Sequence, residues 1–155
     1  MTIARIFVGA ALAAAALPAA AQDFNAQPNF GTVNLTGGFT PDPHVVAVRS
    51  GGSIDVQSLS ENCRGFISNA PDVRLNYSAG GLPLILSVNS TADTTLVVNG
   101  PDGQWYCDDD GGNRGLNPSL RFDKPTSGRY EIWIGTYGNS SYQDAQLHIS
   151  ELYSQ

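Results

Sequence analysis

The sequence predicts an antiparallel all-β protein, either a sandwich or a barrel, and three observations lead to this prediction. Short apolar runs with strand-like alternation follow one another along the chain, as in residues 73–78. Seventeen Gly and nine Pro interrupt these runs with turn-forming residues. Beyond residue 21, no window keeps a helical apolar spacing free of Gly and Pro. About ten short strands at this spacing are typical of a sandwich or a barrel.

Residues 1–21 are predicted to be a secretory signal peptide. Arg5 provides the positive start, residues 6–17 are apolar, and Ala19 and Ala21 are small residues that suit a cleavage site. The apolar run is shorter than the roughly 20 residues of a membrane-spanning helix, so no integral membrane segment is expected in the mature chain. Residues 22–29 are predicted to be a flexible arm, and residues 30–155 one domain.

Charge excludes one class of partner. Eight basic residues stand against fourteen acidic ones, which gives a net charge of −6, and Lys124 is the single lysine. Because an acidic surface repels the phosphate backbone, nucleic-acid binding is not expected.

The strand-like runs are separated by turn chemistry. The runs cover residues 30–36, 45–49, 53–59, 63–68, 73–78, 82–89, 94–99, 104–107, 120–123, 129–137 and 144–152. A hairpin is predicted at residues 50–52, because glycine adopts positive φ at little cost. A second hairpin is predicted at residues 100–103, where the sequence is Gly-Pro-Asp-Gly.

Cys63 and Cys107 are predicted to form a disulfide, since an export signal implies an oxidising compartment. The bond would close a loop whose ends are 44 positions apart. The alternative is a pair of buried free thiols.

Part of the chain resembles a known family. The motifs are Asp93-Thr-Thr-Leu, a Pro-Asp-Gly turn at residues 101–103, an Asp-Asp-Asp loop at 108–110, Gly-Leu-Asn at 115–117, and Gly-Arg-Tyr at 128–130 in a strand that ends at Gly135. Together they resemble the bacterial pre-peptidase C-terminal (PPC) domain over residues 82–152. The resemblance implies an exported, jelly-roll-like β-sandwich without catalytic activity. Some members of this family bind calcium.

The acidic loop is the predicted metal site. Carboxylate and amide oxygens are the ligands that Ca²⁺ prefers, and adjacent carboxylates repel one another unless a cation is bound. The candidate ligands are Asp93, Asp102, Asp108, Asp109, Asp110 and Asn117. The alternative is a solvated loop whose aspartates cap turns. Beyond Ca²⁺, no cofactor is expected.

Aromatic and histidine side chains give two further expectations. Trp105, Trp133 and Tyr137 are candidate binding aromatics, with packing in the core as the alternative. Trp133 alternates with Ile132 and Ile134, and is therefore the tryptophan to inspect for exposure. His148 alternates with apolar neighbours and is predicted to face solvent.

Three functions follow from these features. The first is a non-catalytic binding or accessory domain in the periplasm or outside the cell, with a protein or carbohydrate partner and Ca²⁺ support for the acidic loop. The second is a cell-surface or extracellular protein that self-assembles through strand edges. The third is a peptidase-like or peptidase-associated hydrolase, which would need His44 or His148 beside a serine and a carboxylate.

Overall fold

The computed structural model describes residues 22–61, 63–139 and 141–155, so the predicted signal peptide lies outside the described part. These residues form eleven strands: β1 Thr32–Thr36, β2 His44–Ser50, β3 Ile54–Asp55, β4 Phe66–Ile67, β5 Val73–Ser78, β6 Leu84–Ser90, β7 Thr94–Asn99, β8 Trp105–Asp108, β9 Ser119–Phe122, β10 Gly128–Thr136 and β11 Gln143–Ser150. One short 3-10 turn, Val56–Ser58, follows β3. Across the described ranges, no helix is long and apolar enough to cross a membrane.

The strands form two sheets that pack face to face. Sheet A has seven strands and is built around β10, which pairs with β5 along its first half and with β7 along its second half. Sheet B has four strands in the order β2-β11-β6-β9. The predicted all-β sandwich is confirmed. One pair is not antiparallel, because β1 runs parallel to β5.

The main core lies between the sheets and follows the alternation of each strand. Leu147 and Ile149 of β11 pack with Leu75 of β5 and with Tyr130 and Ile132 of β10, all of them buried. Burial of such side chains contributes about 1.5–3 kcal/mol each to folding. The alternation of apolar and polar residues that predicts these strands therefore places their apolar side chains in this core.

A second core lies on the outer face of sheet A. Trp133 and Val97 pack there against Val56, Ile67 and Cys63, which belong to the segment of residues 54–67. The disulfide between Cys63 and Cys107 joins this segment to β8, with a Cα–Cα distance of 5.3 Å. The predicted disulfide is confirmed, and it fastens a cover over one half of the sheet.

The glycines at positions 51 and 52 do not form the predicted hairpin. β2 pairs with β11 in sheet B, whereas β3 pairs with β4 in sheet A, so the chain changes sheets here. Residues 53–59 are also not one strand, because the 3-10 turn replaces their second half. The hairpin and the single strand were both wrong, because this segment leaves sheet B and its side chains pack on the outside of sheet A, where they follow no strand alternation.

Residues 22–29, which the sequence predicts to be a flexible arm, lie against sheet A. The backbone N–H of Asn29 donates to the carbonyl of Pro71 (2.8 Å), and the N–H of Asp23 donates to that of Asn69 (3.2 Å). Arg74 of β5 donates through Nη2 to the carbonyls of Phe24 and Ala26. These bonds hold the segment against sheet A.

Candidate functional site

The β7–β8 hairpin separates the predicted calcium ligands into two groups. Asp93 precedes β7 and Asp108 ends β8, so both lie at the open end of the hairpin. Asp109 and Asp110 come directly after Asp108. Asp102 lies in the turn at the opposite end. A strand rises about 3.3 Å per residue, so the length of β7 keeps Asp102 away from the others. The prediction that Asp102 joins this ligand set is wrong.

Asp102 instead stabilises its own turn. Its carboxylate accepts hydrogen bonds from the Tyr106 hydroxyl and from the backbone N–H of Gln104 (3.0 Å). These bonds, with that of Tyr106 the stronger influence, hold the pKa of Asp102 below its usual value. This is the turn-capping role that the sequence allowed as an alternative.

Asp108 and Asn117 fasten the acidic loop to the sheets. Asp108 Oδ2 accepts from the backbone N–H groups of Gly111 (2.7 Å) and Ser119 (2.8 Å). Asn117 is 3% exposed. Its Oδ1 accepts from Thr94 Oγ1 (2.6 Å), and its Nδ2 donates to the Ser90 carbonyl (2.9 Å). These oxygen atoms therefore already have structural partners, in the loop and in β7 and β9.

Among the predicted ligands, Asp109 and Asp110 lie near enough to Asp93 for their charges to act on its carboxyl group. Burial, and then the negative charges of Asp110 and Asp109, raise the pKa of Asp93. Within the described ranges, no group of three or more His, Cys, Asp or Glu side chains is arranged to hold a metal ion. Calcium binding at this loop stays a prediction.

The candidate aromatics differ in exposure. Trp133 is fully buried in the second core, which is the packing alternative that the sequence left open, so its ring is not available as a binding surface. Trp105 is half-buried and packs on Trp133, with ring centroids 5.4 Å apart. Tyr137 is 43% exposed, and its backbone N–H donates to the carbonyl of Asp93, the residue before β7.

His148 is also buried, contrary to the prediction. It lies on the outer face of sheet B, opposite Ser87 of β6, and only 8% of it is exposed. The residues after β11 return to this point, where the Gln155 N–H donates to Ser87 Oγ (3.1 Å) and the Asn113 N–H donates to the Gln155 carbonyl oxygen (2.6 Å). Burial first, and then the positive charge of Arg114, lower the pKa of His148.

A cleft that the sequence did not reveal lies beside Arg49, the next-to-last residue of β2. It consists of two neighbouring cavities of about 600 and 540 Å³, and both are lined by Arg49 and Phe30. We call it the Arg49 cleft. The first cavity lies at one end of sheet B, where β2 and β6 end and β11 begins, and its lining includes Asn89, Ser90, Thr91, Asp144 and Gln146. The second lies where β2 leaves sheet B, and its lining includes Asn29, Ser68, Asn69, Asp72 and Tyr142.

Tyr142 and Arg49 are held at the rim of this cleft. Tyr142 is 57% exposed, and the Arg49 guanidinium lies 5.9 Å from the centroid of its ring, within the range of a cation–π contact. Arg49 Nε is also 3.6 Å from Asp144 Oδ1. Gly51 makes this placement possible: its φ is +106°, and a Cβ at this position would lie 2.7 Å from the Ser141 carbonyl oxygen. The backbone before Tyr142 therefore packs directly on Gly51.

Asp72 forms the floor of the second cavity and is 1% exposed. Its Oδ2 accepts from the Ile134 N–H (2.7 Å) and its Oδ1 from Asn29 Nδ2 (3.1 Å). β5 and β4 leave a gap along β10, and the Asp72 carboxyl group fills it by bonding Ile134. Burial outweighs these hydrogen bonds and raises the pKa of Asp72 to about 7.

The cleft combines residues that are far apart in the sequence. Phe30, Arg49, Asn69 and Tyr142 come from four connections or strand ends, and none belongs to a local motif. The available signals were weak: an arginine at the end of a strand, and a tyrosine outside any alternating run.

Comparisons with known proteins assign no family. No protein-family model matches the chain. No curated protein matches it. Among solved structures, the chain is similar to the crystal structure of Aeromonas hydrophila PliG, a periplasmic lysozyme inhibitor of g-type lysozyme. The identity is 14% over 77% of this chain and 96% of that chain, with a TM-score of 0.37, which carries no argument about this chain. Membership of the PPC family stays a prediction.

Proposed function

We propose that this chain is an exported, non-catalytic binding domain that holds its ligand in the Arg49 cleft. Export is supported by the leader-like residues 1–21 and by the disulfide between Cys63 and Cys107. Disulfides persist in oxidising compartments such as the periplasm and the extracellular space.

The observation that carries the binding proposal is the placement of Arg49 where the two cavities meet, with Tyr142 beside it in the second cavity. Tyrosine and arginine are enriched among residues that dominate binding energies. The contact between their side chains favours this position of the Tyr142 ring, and the backbone packing at Gly51 places its Cα there before a ligand arrives. A side chain that is already ordered loses less conformational entropy on binding.

The hydrolase alternative receives no support from His148. Both of its ring nitrogens lack a hydrogen-bond partner among the described residues, whereas a catalytic imidazole needs a serine on one side and an orienting group on the other. Self-assembly through strand edges remains an alternative, for which the discriminating measurement is the oligomeric state at high concentration.

Chemical-shift mapping tests the proposed function without requiring knowledge of the ligand class. The mature chain, labelled with ¹⁵N, is titrated with a panel of neutral oligosaccharides and separately with a panel of soluble peptides. We expect the backbone amide shifts to concentrate at Arg49, Asn69 and Tyr142 for at least one panel. Shifts confined to other surfaces, or no shifts with either panel at millimolar concentration, would contradict the proposal.

A further inference from the structure

We infer that the Arg49 cleft binds an uncharged oligosaccharide. This inference deepens the proposed function and rests on it. It is drawn from the chemistry of the lining, from the balance of charge and from the shape of the two cavities.

Most polar side chains that line the cleft are neutral. Asn29, Asn69, Asn89 and Gln146 provide amide groups, and Ser68 and Thr91 provide hydroxyl groups. An amide or hydroxyl group can both donate and accept a hydrogen bond. Sugar hydroxyl groups do the same, so a sugar ring can satisfy such a lining whichever way each bond runs.

Tyr142 provides the apolar contact that a sugar also needs. One face of a pyranose ring presents C–H groups, and an aromatic ring offers a flat apolar surface with a polar hydroxyl at its tip. The Tyr142 ring is more than half exposed and is oriented by Arg49. It is thus a prepared surface on which a sugar ring can stack.

The charges in the cleft favour a neutral ligand. The Arg49 guanidinium lies 3.6 Å from the Asp144 carboxylate, so the two exposed charges of the lining offset each other. Asp72 is 1% exposed and has its carboxyl oxygens bonded to Ile134 and Asn29, so its side chain supports the floor instead of facing a ligand. A ligand with a strong net charge would find no matching charge here.

The shape favours a short chain of rings over a single small molecule. Each cavity lies within the range of about 300–1,000 Å³ that small-molecule sites have, and the two meet at Arg49 and Phe30. Tyr142 lines the second cavity, whereas Asn89 and Gln146 line the first. An oligosaccharide would place one ring on Tyr142 and extend past Arg49 into the first cavity at this end of sheet B.

The test is calorimetric titration with the oligosaccharides of the neutral panel, namely glucose-, mannose-, galactose- and N-acetylglucosamine-containing chains. We expect at least one of them to bind, and Tyr142→Ala to weaken its binding about tenfold or more. Tyr142→Phe, which keeps the ring, should retain most of the affinity. Tyr137→Ala is the matched control, because this tyrosine is similarly exposed but lines neither cavity of the cleft.

The possible outcomes separate the saccharide inference from the more general proposal that the cleft binds a ligand. If peptides shift the cleft amides and no oligosaccharide does, the saccharide inference is overturned and the binding cleft stands. If neither panel shifts these amides, both fail. If an oligosaccharide binds but Tyr137→Ala weakens it as much as Tyr142→Ala does, the saccharide site lies elsewhere and the inference is also overturned.

Discussion

The outer faces of the two sheets are both partly covered, but by different means. On sheet A, residues 54–67 cover Trp133 with apolar side chains, and a disulfide fastens them. On sheet B, residues 151–155 and the acidic loop meet beside His148. There the Gln155 N–H donates to Ser87 Oγ, and the Asn113 N–H donates to the Gln155 carbonyl oxygen. The first cover encloses a large apolar ring, whereas the second encloses an imidazole with no partner among the described residues.

This difference explains why strand alternation does not reveal the burial of two residues. Trp133 and His148 both lie on the outward phase of their strands, and both are buried by segments that are distant in the sequence. The period of a strand predicts which face a side chain occupies, but not whether that face meets water. The Arg49 cleft lies away from both covers, at the end of sheet B where β2 and β6 end and β11 begins.

The largest expected effect comes from removing the ring beneath the sheet A cover. Because Trp133 is fully buried among apolar side chains, Trp133→Ala should lower the free energy of unfolding by about 3–5 kcal/mol. Urea denaturation of the oxidised protein measures this loss. Tyr142→Ala is the control, since an exposed residue should change stability by no more than about 0.5 kcal/mol. Similar losses in both variants would contradict the second core.

Removing the disulfide should have the next largest effect. The bond closes a loop across 44 positions, for which the loss of chain entropy in the unfolded state predicts up to about 4 kcal/mol of stabilisation. We expect replacement of Cys63 and Cys107 by alanine to lower the free energy of unfolding by about 2–4 kcal/mol. Denaturation monitored by tryptophan fluorescence measures it. An unchanged midpoint and slope would show that the bond does not fasten the cover.

The fold was largely predictable because its main core follows local rules. Residues 73–78 and 94–99 match β5 and β7, and the Gly-Pro-Asp-Gly turn joins β7 to β8 as predicted. The turn at residues 50–52 was misassigned because glycine permits both a hairpin and a change of sheet. Which of the two occurs depends on what β2 and β3 pair with, and the local sequence does not contain this information.

Asp72 should make the protein less stable as pH rises. Its folded-state pKa of about 7 is above the ordinary value of 3.8, so its contribution is fully present below about pH 4 and is lost as pH rises through 7. One proton changes stability by at most about 1.4 kcal/mol per pH unit. We expect Asp72→Asn, which mimics the protonated group, to flatten this slope.

Urea denaturation at pH 4, 5.5, 7 and 8.5 measures the slope for both proteins. Glu131, whose pKa burial also raises, contributes with the same sign and should leave a residual slope in the variant. An identical slope in Asp72→Asn would show that Asp72 does not titrate in this window.

His148 should have the opposite and smaller pH effect. Its pKa is lowered from the ordinary value of 6.5, so its contribution is present above that value and is lost as pH falls below it. We expect His148→Phe, which cannot be protonated, to be stabilised more than the unaltered protein when the pH falls from 7 to 5, because the variant lacks the opposing contribution of His148. Denaturation curves at the two pH values measure the free energy of unfolding, and an equal change in both proteins would contradict a buried neutral imidazole.

The candidate site was far less predictable than the fold. The acidic residues attract attention because they are consecutive, yet Asp108 fastens the loop and Asp102 caps a distant turn. The Arg49 cleft has no local signature, because Phe30, Arg49 and Tyr142 meet only after both sheets have formed. A site assembled from strand ends in this way can be found only from the pairing of the strands.

The central claim is that ligands are bound in the Arg49 cleft beside Tyr142 and not beside Tyr137, which lines neither cavity. Its most direct test is photo-crosslinking in the cells that export the protein, with a photoreactive phenylalanine analogue placed at position 142 or at position 137. We predict a defined covalent product from position 142 and little or none from position 137. A product from position 137 alone, or equal yields from both positions, would contradict the claim.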